Sequence, residues 1–187
     1  MPAPAKKKAT YDDLCRLPNS VIGEIVDGEL VATPRPSKRH IYAASALGNE
    51  IGPPYQFGRG GGPGGWWILF EPEVRLGEHI VVPDLAGWKR ERMPSLGEGH
   101  QFDVVPDWVC EILSPSTIRL DKKQKIPIYG EFGTRTLWLL DPLARTLETF
   151  RLESGKWLLL GFYSGDDRVR AEPFLEIEID LAILWAS

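Results

Sequence analysis

Cysteine is nearly absent from this chain. Cys15 and Cys110 are the only two in 187 residues, and their spacing suits neither a thiolate metal site nor a redox pair, so a reducing, cytoplasmic setting is expected. No run of roughly eighteen apolar residues occurs, which excludes a membrane-spanning helix. Lys6, Lys7 and Lys8 near the start are followed by no apolar stretch, so neither a signal peptide nor an anchor is expected there. Positive charge is not in excess either: 22 Lys and Arg stand against 26 Asp and Glu, a formal charge of −4. That balance argues against a protein that coats nucleic acid by bulk electrostatics, and any contact with phosphates is expected to be local. Asparagine (Asn19, Asn49) and glutamine (Gln56, Gln101, Gln124) are scarce, a depletion of the kind found in heat-adapted proteins.

The remainder reads as a folded α/β chain. At this length one domain over residues 1–187 is expected, with residues 1–10 as a disordered leader and a core from about 23 to 142. Tyr11 to Leu17 suits a short helix, and Asp27-Gly28 between two short β runs is a strong hairpin signal. Ser37 can cap a helix in which Ile41, Ala44, Leu47 and Ile51 recur at helical spacing until Gly52-Pro53-Pro54. The stretch from Gly58 to Gly65 has the composition of a phosphate loop, but no Gly-Lys-Ser/Thr follows it, and it reads as a connector. Strands are expected at Trp66–Phe70, Glu73–Leu76, His79–Trp88 and Trp108–Leu113. A helix is expected over Arg119–Phe132, with a conflict at Pro127, whose ring clashes one turn back. Thr136–Leu140 and a hairpin of Thr146–Leu152 with Lys156–Phe162 make a β-rich appendix, and Phe174–Leu184 suits a strand or a short helix. The order predicts a mixed β-sheet flanked by helices.

Two acids occupy settings that disfavour charge. Asp84 lies in Val81-Val82-Pro83-Asp84-Leu85-Ala86 and Glu111 in Val109-Cys110-Glu111-Ile112-Leu113, each flanked by apolar residues as in a strand buried on both faces. A lone buried carboxylate costs several kcal/mol unless it is paired, protonated or bound to a cation. A divalent cation between two such strands removes both penalties, and hard oxygen ligands suit Mg²⁺ or Mn²⁺.

Pro83-Asp84 followed by Glu111-Ile112-Leu113 resembles the Pro-Asp … Asp/Glu-x-Lys signature of the restriction-endonuclease-like (PD-(D/E)XK nuclease) superfamily, with Leu113 where the lysine should stand. The resemblance is closer to the Uma family within it. It is carried by Glu24-Ile25-Val26-Asp27-Gly28-Glu29-Leu30, His40, Val82-Pro83-Asp84, Glu111 to Thr117, Asp121-x-x-x-Lys125-x-x-x-Tyr129 and Leu137 to Pro142. It implies a restriction-endonuclease-like core with an N-terminal β-hairpin and a C-terminal β-rich appendix. It also implies that the displaced lysine has moved to the next helix, which nominates Lys125. Asp121, Lys125 and Tyr129 then share one helical face.

The expected activity is Mg²⁺-dependent (or Mn²⁺-dependent) hydrolysis of DNA by a metal-activated water. Asp84 and Glu111 act as ligands and Lys125 as the charge-stabilising or water-orienting group. Glu50, on the first core helix, is the candidate third ligand, and His40, Asp121 and Tyr129 are supporting residues. Glu71 and Glu73 alternate on a strand that could reach the same cleft. Arg35, Lys38 and Arg39, with Arg119, Lys122 and Lys123, are the clusters available to phosphates. Trp66, Trp67, Trp88, Trp108 and Trp138 are read as core or interface. A homodimer is expected, because the appendix presents sheet edges and large apolar groups. The alternatives are a nuclease-fold module that binds nucleic acid or protein without catalysis, and a glycosidase using the two acids as a pair. Metal binding separates them.

Overall fold

Two sheets meet where the chain breaks at Val82-Pro83-Asp84. A computed structural model describes residues 7–115 and 118–186, with the side chain of Arg119 outside the description. The Ser116-Thr117 turn and residues 1–6 of the leader therefore lie outside the described residues. The rest of the leader is tied down: the Ala9 amide donates to Gly28 O at 2.8 Å, and the Thr10 side chain caps α1 (Tyr11–Cys15).

The five-stranded sheet runs in the order β2-β1-β5-β4-β7. Strands β1 (Val21–Val26) and β2 (Glu29–Pro34) form the expected hairpin. Asp27 and Gly28 both have positive φ (52° and 75°), as a type I′ turn between right-twisted strands requires. Beside β1 lie β5 (His79–Val81), β4 (Glu73–Leu76) and the short β7 (Gln101–Phe102). The six-stranded sheet has the order β11-β10-β9-β8-β6-β3. Its members are β3 (Trp66–Phe70), β6 (Leu85–Lys89), β8 (Trp108–Ile112), β9 (Thr136–Asp141), β10 (Thr146–Glu153) and β11 (Lys156–Ser164). One strand was expected over His79–Trp88. The structure instead ends β5 at Val81 and starts β6 at Leu85, because Pro83 has no amide to give a ladder and the chain changes sheets there. Asp84 consequently stands at the corner.

The five residues of β8 are all buried, and they alternate between two cores. Trp108, Cys110 and Ile112 face Ala43, Leu47 and Ile51 of α2 (Lys38–Ile51), together with Trp66 and Trp138. Val109 faces Val74, Val81 and Tyr129 on the other side. Glu111 is in phase with Val109 and therefore projects toward the second group.

Helix α2 is capped by Ser37, whose hydroxyl accepts from the His40 amide. Its buried face is His40, Ala43, Leu47, Gly48 and Ile51, whereas Ile41, counted on the apolar stripe in the sequence, is half exposed. The helix does not stop at Gly52-Pro53-Pro54 but runs on through a π-helical turn, Gly52–Gln56. The second helical stretch resolves its proline in the same manner. Short α3 (Ile118–Leu120) passes into a π-helical turn (Asp121–Lys125) and then α4 (Ile126–Phe132). Pro127 cannot donate, and the Ile126 amide reaches back to Asp121 O, so the wider turn absorbs the ring without ending the helix. The tail is strand followed by helix: β12 (Arg168–Ala171) pairs with β13 (Phe174–Asp180), and a 3₁₀ turn (Leu181–Leu184) closes it. Among the described residues no helix is long and apolar enough to cross a membrane.

Candidate active site

The corner between the sheets is held by side chains rather than by a ladder. Val82, stranded between β5 and β6, gives its amide to Glu24 Oε1 at 2.7 Å, and its carbonyl accepts from Lys125 Nζ at 3.0 Å. Backbone groups buried without a partner are costly, so the break in the strand itself recruits an acid and a lysine. Glu24 reaches the corner because β1 lies beside β5, with Ile25 opposite Ile80.

Asp84 and Glu111 flank the same corner on neighbouring antiparallel strands, whose register pairs Leu85 with Cys110. One oxygen of Asp84 accepts from the Ile112 amide at 2.6 Å and the other lies 2.6 Å from His40 Nε2. Glu111 Oε1 accepts the Tyr129 hydroxyl at 2.6 Å and lies 2.9 Å from Lys125 Nζ. The ammonium is 3.0 Å from Glu24 Oε1 and 3.7 Å from Asp121 Oδ1. Of the three lysines on this segment, Lys122 and Lys123 are exposed and Lys125 is buried. Leu113, at the superfamily lysine position, is packed in the core with its amide bonded to Leu140 O, so the positive charge at this corner comes from Lys125.

Three carboxylates, Glu24, Glu111 and Asp121, thus converge on one ammonium and are almost inaccessible to water, and Asp84 lines the same cleft. Burial pushes the Glu111 carboxyl well above its ordinary range; Lys125 opposes that shift, and Asp121, Asp84 and Glu24 reinforce it. Burial alone would lower the Lys125 pKa, but Glu111 and Glu24 outweigh it and hold the ammonium protonated. The Tyr129 phenol is raised by burial and then by Glu111, so it remains a donor. The cluster has more negative charge than its lysine can balance.

That surplus, made of hard oxygen donors, fits a divalent cation chemically. The pair able to hold it is Asp84, whose side chain is 15 % exposed toward the cleft, and Glu111 beside it. A ready-made cage is absent: no group of three or more His, Cys, Asp or Glu among the described residues is arranged to ligate a metal. Water or substrate oxygens would complete the shell, as Mg²⁺ commonly requires. The cluster forms the floor of a cleft of about 300 Å³ whose rim includes Arg35, Ser37 and Ser114.

The structure brings His40, Asp84, Glu111, Asp121, Lys125 and Tyr129 to one corner. Glu50 is not among them. It lies ten residues beyond His40 on α2, about 15 Å along the axis, and does not line the cleft. Glu24 lines the cleft instead. Its signal was present in the sequence, since Glu24 is in phase with Ile22 and Val26 on a strand and should point inward with them. Glu71 and Glu73 do not line this cleft: Glu71 meets Arg35 at 3.4 Å and Glu73 accepts the Tyr11 hydroxyl at 3.1 Å. Trp66, Trp88, Trp108 and Trp138 are core and Trp67 is partly buried against it, with Trp108, Trp138 and Phe174 in mutual edge contacts.

Known proteins share this arrangement of elements. A crystal structure described as a "putative nuclease belonging to DUF820" from Anabaena variabilis superposes with a TM-score of 0.74 at 25 % identity, covering 95 % of this chain and 97 % of its own. No curated protein matches the chain. The sequence model of the Uma2 family, described as "Putative restriction endonuclease", matches residues 9–183. That span takes in β1 with Glu24, the Asp84 corner, the Glu111 strand and the Lys125 helix alike, and the chain belongs to the Uma2 family.

Proposed function

We propose that this chain is a Mg²⁺-dependent endonuclease, with Mn²⁺ able to substitute, that hydrolyses phosphodiester bonds of DNA. The observation that carries the proposal is the convergence of Glu24, Glu111 and Asp121 on Lys125 at the floor of a cleft that Asp84 also lines. Asp84 and Glu111 would hold the cation. When bound, it supplies an ionised water at neutral pH and neutralises charge on the phosphate.

The protein's own groups have separable tasks. His40 fixes the orientation of Asp84 through Oδ1, and the Ile112 amide fixes the other oxygen. Tyr129 orients Glu111. An ammonium has three protons, and Val82 O, Glu24 and Glu111 all lie within 3.0 Å of Lys125 Nζ. Its role is accordingly electrostatic: it holds two carboxylates apart at the corner and offsets negative charge as the phosphate is attacked. Orientation of the water by Lys125 would require one of these bonds to be released. Arg35, Lys38 and Arg39 at the start of α2 are exposed beside the cleft and would meet flanking phosphates.

The protein would act as a homodimer in the cytoplasm. Among the described residues the outer edge of β11 has no partner strand and presents Leu158, Leu159 and Phe162, each at least 44 % exposed, and an uncovered apolar edge favours pairing with a second copy. Cys15 and Cys110 are free thiols, which suits a reducing compartment. Calorimetric titration of Mg²⁺ or Mn²⁺, paired with cleavage of plasmid DNA, tests the reading. Wild type should bind and cut, while Asp84→Asn and Glu111→Gln should do neither. Metal binding or DNA binding without cleavage in wild type would assign the non-catalytic module instead.

A further inference from the structure

Beside the cleft lies a second, smaller recess of about 160 Å³, lined by Pro36, Ile41, Ala44, Ser45, Phe70 and Glu71, together with His40 and Asp84. Pro36, His40 and Asp84 also line the main cleft, so the two are continuous. To the shared His40 and Asp84 the recess adds the apolar side chains of Ile41, Ala44 and Phe70. Phe70 is 52 % exposed and Ile41 51 %, which leaves an aromatic ring and an aliphatic side chain open to solvent next to a cluster of buried carboxylates.

Phe70 is held in place by two locally unfavourable backbone choices. Gly48 lies in the interior of α2, where glycine weakens a helix, and a Cβ there would collide with the Phe70 ring. The ring therefore rests on bare helix backbone. Glu71, the next residue, has φ +44°, a left-handed conformation that a residue with a Cβ adopts at a cost. Its amide donates to Asp84 O at 3.1 Å, so the same turn that ends β3 ties Phe70 to the corner carrying Asp84. An exposed ring with no task would need neither device.

We propose that this recess is a base-binding subsite. In it Phe70 stacks on one unpaired nucleobase of the strand whose phosphate lies at the Asp84–Glu111 corner. The inference rests on the nuclease reading and adds the substrate class: a strand with at least one base out of the duplex. Every base offers a π-face to an aromatic ring, so such a platform binds without sequence preference. Ser45 and the Glu71 carboxylate, which Arg35 partners at 3.4 Å, supply polar groups at the rim. Arg35, Lys38 and Arg39, exposed along the start of α2, place positive charge beside the recess, as a strand that crosses it with its phosphates outward needs. This favours a nucleic acid over an apolar protein segment as occupant.

The test uses the full chain, EDTA to prevent cleavage, and a labelled 12-nucleotide DNA, single-stranded or annealed to its complement. Phe70→Ala should weaken binding of the single strand about ten- to a hundredfold, the range expected when one stacking platform is removed. Phe70→Tyr should restore it to within about threefold, and the dependence of binding on salt should be unchanged, since no phosphate contact is lost. A loss confined to the single strand identifies a substrate that enters unpaired. An equal loss on the duplex identifies a base extruded from it, and the recess is a base site in either case. If Phe70→Ala binds both DNAs as wild type does, or instead changes only the mass measured by light scattering, the subsite is refuted while the nuclease reading stands. If wild type binds neither DNA, the subsite is refuted, while the nuclease reading is decided by cleavage in Mg²⁺.

Discussion

The Nζ of Lys125 lies 2.9 Å from Oε1 of Glu111, and that contact makes the lysine a structural counter-ion as well as a member of the site. Removing it, as in Lys125→Met, leaves Glu24, Glu111 and Asp121 facing one another without water. Loss of one partner of a buried ion cluster costs about 3–5 kcal/mol, and each kcal/mol is worth about 2–4 °C in a chain of this size. The metal-free variant should therefore melt roughly 6–20 °C below wild type by scanning calorimetry. Mg²⁺ should raise its melting temperature more than it raises that of wild type, because the added cation replaces the missing charge. Cleavage should fall at least about a hundredfold. Lys122→Met and Lys123→Met, at exposed positions, should melt with wild type. Coincident melting of all three would show that Lys125 does not balance the cluster.

The raised Glu111 carboxyl sets a pH dependence with a definite sign. In the folded, metal-free protein Glu111 holds its proton above the ordinary value of 4.5. Its contribution to stability is thus fully present below pH 4.5 and is lost as the pH rises from there through the folded value. Glu111→Gln cannot ionise and should show a flatter stability profile in that window, with the metal-free protein as stable as wild type or more so at neutral pH. Mg²⁺ must displace the proton, so affinity in wild type should rise with pH. Titration calorimetry in two buffers of different ionisation enthalpy would register the released proton as a change in apparent heat, and identical heats would sink this account.

Much of this site could be read from the sequence, and the parts that could not share a cause. Asp84 and Glu111 stood out because each is an acid in an apolar run, a local signal. Lys125 required the family resemblance, since spacing alone is satisfied equally by a solvated pair with Asp121. The hairpin at Asp27-Gly28 and the Ser37 cap were legible because turn and cap chemistry are local. Glu24 is not legible locally, because its placement depends on β1 lying beside β5, a long-range pairing, and on the Val82 amide losing its ladder partner at Pro83. For Glu50 the sequence signals the helix but not the height on it: the start of α2, at His40, meets the corner, and Glu50 lies nearly three turns away. The π-helical turn at Asp121–Lys125 was foreshadowed only as a conflict at Pro127.

The His40–Asp84 contact predicts an outer-shell effect. His40 Nε2 lies 2.6 Å from Asp84 Oδ1, and partners that orient a ligating carboxylate commonly affect metal affinity by about 10–100-fold. His40→Ala should lower Mg²⁺ affinity within that range in a calorimetric titration. Glu50→Gln, away from the cleft, should remain within about threefold of wild type. A large loss in Glu50→Gln with none in His40→Ala would reverse the assignment of the two.

The free edge of β11 predicts the oligomeric state. Light scattering at micromolar concentration should give twice the chain mass of 21.0 kDa. Leu159→Glu combined with Phe162→Glu places charge on the exposed face of that edge and should give the monomer without lowering the melting temperature by more than a few degrees. A wild-type monomer would remove β11 as an interface.

The last prediction separates the two things Glu24 does. Its Oε1 accepts the Val82 amide at 2.7 Å and lies 3.0 Å from Lys125 Nζ, so it is both a hydrogen-bond acceptor for the broken strand and a negative charge for the site. Glu24→Gln keeps an oxygen at that position and removes the charge. Glu24→Ala removes both and leaves the Val82 amide buried without a partner, which costs about 1–3 kcal/mol. The Gln variant should therefore melt close to wild type and the Ala variant roughly 2–12 °C lower. Both should cleave DNA at least about tenfold more slowly, because Lys125 then has one fewer carboxylate to hold it at the corner and the balance of charge around Glu111 shifts. Kinetics and melting curves on the same preparations decide the matter. If Glu24→Gln cleaves as fast as wild type, Glu24 is only a strut for the Val82 corner, and the charge that matters at this site is confined to Asp84, Glu111 and Lys125.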